Sequence, residues 1–342
     1  MTKRAWPAID RRTFTLGLSA GAAAGAFGGI GRAAAATPAT ISEAIHLGFY
    51  IPIYVAKAKG FFAEQGIDMT IRSAGGIAQP VPALLSGSAE FAVTAPAMSV
   101  NATVEGAQMI NIAKIVGHIS VWVVAKPGTT FESVDDFKGK RIATLKYPSN
   151  TITTPTYAMK ELGGFDPEAE GATFLQLPFG AQIQAVADGR ADIACVFEWD
   201  ASIAETKFGL ETVFAIGGAV GPAVFTSSFV TETFRDENPE MCQNYVNAIA
   251  QAQALLHQDP EVFTEVSAAE FPQIDAAVIE AAKARFFGDA PVVPTAPTIS
   301  KAEWDTMMNH ELVAGTLRKS LPYEQMVDNS FAEKAAAEYA AK

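Results

Sequence analysis

Cysteine and histidine are scarce in this 342-residue chain, with two of the first and four of the second. Two cysteines cannot make a disulfide framework. Cys195 lies in the apolar run Ile193–Phe197 and reads as a buried strand residue, while Cys242 falls on a helical segment. Two buried thiols suit these positions better than a bridge. His46, His118, His257 and His310 are scattered without metal-ligand spacing, so neither a metal site nor a cofactor is expected. Basic residues are also few, 25 against 37 acidic ones. That argues against nucleic acid or an anionic membrane as partner, since both need a basic face. Beyond the first 36 residues there is no 18-residue apolar run, which excludes stable membrane insertion.

The chain start has three parts in the order of an export signal. Met1–Arg12 is basic, Thr13–Ile30 is uncharged and rich in Gly and Ala, and Ala34-x-Ala36 offers a cleavage site. Arg11-Arg12 followed by Thr13-Phe14-Thr15-Leu16 resembles the twin-arginine consensus, with Asp10 where serine is usual. A membrane anchor fits less well, because a Gly/Ala run has few side chains that stabilise a span. No cysteine follows the run to carry a lipid. The expectation is a signal peptide over residues 1–36 and a periplasmic protein exported by the twin-arginine route. Removing those residues, with their five basic groups and one acidic group, leaves 20 basic and 36 acidic residues, a net charge of −16. The remaining 306 residues suffice for two modest domains.

Strand and helix patterns then alternate. Ile45–Phe49, Ile67–Arg72, Phe91–Thr94, Met109–Val116 and Val121–Ala125 read as strands. Helical spacing falls between them at Tyr54–Gln65, Pro80–Gly87 and from Pro96 to Gly106. A second unit repeats the pattern: strands at Arg141–Leu145, Thr173–Gln176 and Ile193–Phe197, helices at Thr153–Leu162 and Gln182–Asp188. Val224–Val230 is a further β-type stretch, and from Asn238 the chain is mainly helical apart from the proline-rich 291–297. This alternation predicts an α/β fold with mostly parallel sheets flanked by helices.

The run Gly48–Asp68 resembles the opening of periplasmic solute-binding proteins of the aliphatic sulfonate, taurine, nitrate and thiamine-precursor type. Four later segments agree in order and spacing: Gly75-Gly76 with Ala83–Phe91, Asp135–Ala143, Ala185–Ala194, and Asn238-Pro239-Glu240 before a long helix. The likeness covers residues 44–290. It implies a two-lobed binding protein of type II, joined by two crossing strands near Val121–Ala125 and Val224–Val230. One lobe would span 37–122 and 226–342, the other 123–225. It further implies a monomer that takes a small-molecule ligand in the cleft and delivers it to a membrane ABC permease.

In open α/β sheets, ligands bind beyond the carboxyl ends of the strands, where helix N-termini offer N–H groups and a positive dipole end. Those junctions supply the candidate contacts: Phe49, Tyr50 and Ile51; Gly75 and Gly76; Thr94, Ala95 and Met98; Ser149, Asn150 and Thr151; Phe179; and Phe197, Glu198 and Trp199. His118 and Trp122 lie near the first crossing. Each has a plainer role available: core packing for Phe49, Tyr50 and Trp199, a helix cap for Ser149–Thr151, a rim charge for Lys146. Family members often carry Trp-Glu-Pro where this chain has Phe197-Glu198-Trp199. A Glu198 facing the cleft would disfavour an anion and suit an amine or ring N–H.

The aromatic strand ends suit a flat or partly apolar solute. A sulfonate, taurine-like compound or aromatic anion is the expected ligand. The alternatives are a heteroaromatic vitamin precursor (pyrimidine or flavin-like), or an enzyme on the same scaffold such as a desulfinase. The last needs a cysteine nucleophile in a cleft loop, and Cys195 sits inside an apolar strand.

Overall fold

The apolar runs become interior strands. Phe91–Thr94, Trp122–Ala125 and Ile193–Val196 are buried at every position, the signature of strands covered on both faces. The computed structural model describes residues 36–288 and 290–339. The export signal expected over 1–36 lies, apart from Ala36, outside them. In chain order the strands are β1 Thr37–Glu43, β2 Ile67–Ser73, β3 Phe91–Thr94, β4 Met109–Val116, β5 Trp122–Ala125, β6 Arg141–Leu145, β7 Thr173–Leu177, β8 Ile193–Val196, β9 Glu211–Ala215 and β10 Thr226–Thr231.

They form two five-stranded sheets, ordered β2-β1-β3-β10-β4 and β7-β6-β8-β5-β9. In the first, β1 pairs in parallel with β2 and β3, and β10 runs antiparallel between β3 and β4. In the second, β6 pairs in parallel with β7 and β8, and β5 runs antiparallel between β8 and β9. Four strands of each sheet thus share one direction, as α/β patterning implies, and the fifth is inserted against them.

The chain passes between the sheets at residues 117–121 and returns at 216–225. The two passages are joined by Ile216 N–H donating to Val121 O (3.1 Å) and Phe225 N–H donating to Val116 O (3.0 Å). They approach so closely that a Cβ on Gly217 would sit 2.0 Å from the Ile119 carbonyl oxygen. Edge strand β4 is covered by later segments: Lys114 N–H donates to Pro297 O (2.6 Å) and Asp328 N–H to Asn111 O (2.9 Å). Such cover removes an open hydrogen-bonding edge. The C-terminal helices reach both sheets, because helix Ala276–Phe287 packs on helix Asp200–Phe208, and Lys301–Val313 packs on Asn150–Tyr157.

Several local expectations change. The first strand is Thr37–Glu43, and Gly48–Tyr50 is a 3-10 turn, not the end of a strand over Ile45–Phe49. That segment is apolar because its side chains line a cavity. The helix expected over Tyr54–Gln65 is Ile51–Ala58 and Phe61–Glu64, divided at Gly60, whose φ is +80°. The helix expected from Thr153 starts at Asn150, where Ser149 caps it, and its last turn Ala158–Leu162 widens into a π-helix. Both cysteines are buried free thiols.

Candidate ligand-binding site

A cavity of about 250 Å³ lies where the two sheets meet. Its wall is built from strand ends. Ala44, Ile45, Leu47, Phe49 and Tyr50 follow β1, Gly76 and Ile77 follow β2, and Ala95 follows β3. From the second sheet come Leu145, Lys146, Pro148, Ser149 and Asn150 after β6, and Phe197 after β8. Phe225 and Thr226 complete it. They open β10, which runs against its neighbours and so brings its N-terminal end to the edge where the other strands have their carboxyl ends.

The wall is mainly apolar and aromatic. Phe49 is its centre, with edge-on contacts to Tyr50 (4.7 Å between centroids), Phe197 (5.7 Å) and Phe225 (6.0 Å). The Phe49–Phe197 contact joins a loop of the first sheet to a loop of the second. Edge-to-face pairs of this kind add about 0.5–1.5 kcal/mol beyond burial. Tyr50 is buried, and burial with the charge of Glu43 raises its pKa. Glu43 ends β1 beneath the loop, where it accepts from Tyr54 (2.6 Å) and meets His46 Nδ1 (2.8 Å).

The polar share of the lining is small. Ser149 Oγ accepts from Thr151 N–H (3.4 Å) as the cap of helix Asn150–Tyr157, whose N-terminus opens at the cavity. Lys146, exposed at the rim, is the one charged residue among those lining it.

The structure brings seven of the candidates to this cavity: Phe49, Tyr50, Gly76, Ala95, Ser149, Asn150 and Phe197. The others lie elsewhere for local reasons. Ile51 is in the core. Gly75 shapes the turn after β2 with φ +79°. Thr94 is buried and donates to Ile77 O (2.8 Å). Met98 lines a neighbouring hollow with Tyr147, Arg318 and Lys319. His118 meets Pro291 O through Nδ1 (3.1 Å), and Trp122 opens β5 in the core. Thr151 Oγ1 accepts from Leu145 N–H (2.9 Å). Phe179 is 51% exposed.

Glu198 and Trp199 turn away from the cavity. Glu198 is fully buried, paired with Arg285 and bonded to the Ser202 hydroxyl (3.0 Å). Burial pushes its carboxyl up, and Arg285 opposes that shift. Trp199 stands among Phe263, Phe271 and Phe286. Its ring lies over Gly48, where a Cβ would meet it at 2.5 Å. The cavity residues absent from the candidates were Ala44, Ile45, Leu47, Ile77, Leu145, Lys146, Pro148, Phe225 and Thr226. Most are plain apolar residues flanking chosen ones.

Among the described residues, no group of three His, Cys, Asp or Glu could hold a metal, and no helix is long and apolar enough to cross a membrane.

Two α/β sheets, each with one strand inserted against the direction of the other four, and a cavity at the meeting of their strand ends, define the architecture of the periplasmic binding proteins. The chain belongs to the NMT1/THI5-like family, whose model matches residues 49–262. It is 26% identical over 305 residues to the Bacillus subtilis (strain 168) protein named "Putative binding protein YtlA", covering 88% of this chain and 91% of that one. Its fold is similar to that of the alkanesulfonate-binding protein SsuA from Xanthomonas axonopodis pv. citri, with TM-score 0.67, 17% identity, and 87% and 100% of the two chains covered. The periplasmic nitrate-binding protein NrtA from Synechocystis PCC 6803 gives TM-score 0.69 and 15% identity, covering 88% and 89%.

Proposed function

We propose that this protein is the extracytoplasmic binding component of an ABC importer, and that it captures a small organic solute in the cavity between its sheets. The observation that carries this reading is the Phe49–Phe197 contact across a cavity closed from both sheets, since a wall shared by two halves closes around a ligand and opens to release it. The halves act as lobes, residues 37–122 with 226–342 and residues 123–225, with the joined passages between the sheets as the hinge. The protein works in the periplasm as a monomer, leaves the cytoplasm by the twin-arginine route and hands its ligand to a membrane permease. The export pattern of residues 1–36 and the family support this setting.

The preferred ligand is a sulfonate or aromatic anion. Three features support it: the aromatic wall, Lys146 at the rim, and the N-terminus of helix Asn150–Tyr157 at the cavity. Glu198, which would have opposed an anion, is neutralised by Arg285. Cys195 is buried in β8 away from the cavity, and burial pushes its thiol well up, so a thiolate nucleophile is disfavoured.

A thermal-shift screen of sulfonates, taurine, nitrate, aromatic carboxylates, pyrimidines and purines tests the reading. A ligand at a hundred times its Kd adds about 2.7 kcal/mol of stability. Phe197→Ala should abolish the shift and Cys195→Ala should retain it. Hits confined to cations would sink the anion preference, and sulfinate turnover lost in Cys195→Ala would sink the binding reading.

A further inference from the structure

Asn150 lines the cavity, and one branch of its side chain is already engaged: Nδ2 donates to Glu311 Oε1 (3.4 Å). Glu311 lies on helix Lys301–Val313, is 3% exposed, and has further partners in His310 Nδ1 (3.2 Å) and the Thr316 hydroxyl. His310 is fully buried and held on its other side by Thr154 Oγ1 (3.1 Å). Burial works against a charge on Glu311. The bond and charge of His310, then the bonds from Thr316 and Asn150, outweigh it and hold the carboxyl below its usual range.

An ionised carboxylate only accepts hydrogen bonds, so the amide must turn its NH2 toward Glu311. Its Oδ1, on the opposite branch of the same plane, receives no protein donor among the described residues. The other side-chain polar groups of the wall are differently placed. The Ser149 hydroxyl is engaged with Thr151, the hydroxyls of Tyr50 and Thr226 can donate as well as accept, and Lys146 can only donate.

We infer that Asn150 offers its carbonyl oxygen to the cavity, so that the bound solute carries an N–H or O–H donor there, as an aromatic amine or a ring N–H does. The inference deepens the proposed function and rests on the cavity being the solute site. With Lys146 at the rim, it narrows the preferred anion to one that also bears a donor. A solute without the donor leaves the oxygen unpaired on closure, and that loss is the source of selectivity.

Isosteric pairs test this by calorimetry: 4-aminobenzenesulfonate against 4-methylbenzenesulfonate, and 2-aminopyrimidine against 2-methylpyrimidine. In each pair that binds, the amino compound should bind about tenfold tighter, the scale of one hydrogen bond. Equal or tighter binding of the methyl compound overturns the inference. Glutamine can turn either amide atom toward Asn150, so Glu311→Gln should bring the preference close to unity, and an unchanged preference overturns it.

The orientation is also read without ligand, from the side-chain ¹⁵N signals of the wild-type protein. Slow exchange of the Asn150 NH2 protons supports it, and exchange as fast as that of exposed amides overturns it whatever binds. Protected protons with none of the four compounds bound count against the solute reading of the cavity and leave the orientation standing.

Discussion

Arg285, on helix Ala276–Phe287, holds the fully buried carboxylate of Glu198, the residue next to Phe197 in the cavity wall. The same guanidinium reaches Glu205 (3.0 Å) and the Ser202 hydroxyl (2.7 Å) on helix Asp200–Phe208. A C-terminal helix is thereby tied to the loop that carries Phe197.

Removing one partner of a buried pair strands the other, at a typical cost of 3–5 kcal/mol. Arg285→Met should therefore destabilise the protein by about 3 kcal/mol at pH 7.5 in urea denaturation. Burial already pushes the Glu198 carboxyl up, so the loss should shrink as the pH is lowered and the stranded group takes up a proton. Combining Glu198→Gln with Arg285→Met should restore most of the stability. An additive double mutant would show that the pair is not coupled.

Asp200 opens the same helix. Its carboxyl is pushed up to about 6 from the ordinary 3.8, by burial first and then by the charge of Glu198. The folded state thus holds this proton more tightly than the unfolded chain does. The stability it confers is complete below 3.8 and is lost as pH rises through about 6. A two-unit shift corresponds to about 3 kcal/mol, lessened by the favourable place of a carboxylate in a first helical turn. Asp200→Asn should therefore raise stability by about 1–2 kcal/mol at pH 7.5 and change little at pH 4. A fall in stability at pH 7.5 would contradict the shift.

His46 stands between Glu43 (2.8 Å) and Glu270 (3.6 Å) and against the rings of Tyr54 and Phe271. The bond to Glu43 raises its pKa from 6.5 against an opposing effect of burial. Stability from its protonated form is complete below 6.5 and is lost as pH rises through the raised value. Tm measured from pH 6 to 8.5 should fall less in His46→Gln than in the wild type. Ala44, Ile45 and Leu47, around it in the chain, line the cavity, so solute affinity should weaken over the same window. Equal slopes in variant and wild type would remove His46 from the account.

Much of the fold was legible because burial on both faces writes itself as an unbroken apolar run, as in Trp122–Ala125 and Ile193–Val196. The same logic misled at Ile45–Phe49, where residues are apolar toward a cavity and no strand forms. Trp199 shows the second limit. Its neighbours Phe263, Phe271 and Phe286 lie more than sixty positions later, and no local pattern announces them. Strand-end loops could be chosen from connectivity alone, whereas the partners that fix them, Arg285 and Glu311, come from helices with no β-strand pattern to mark them. Phe225 and Thr226 were within reach, because an inserted antiparallel strand must present its first residues at the edge where its neighbours finish.

The return of β10 to the first sheet has a consequence for how the chain can be divided. The second sheet is one continuous stretch of chain, β5 to β9, but the first is not: β10, which begins fifteen residues after β9 does, closes a gap between β3 and β4 left open since Val116. A ribosome must finish Thr231 before the first sheet has all its strands. A cut between Val116 and Trp122, or between Ala215 and Thr226, would leave the first sheet with a raw seam between β3 and β4. The two halves should consequently melt in one transition.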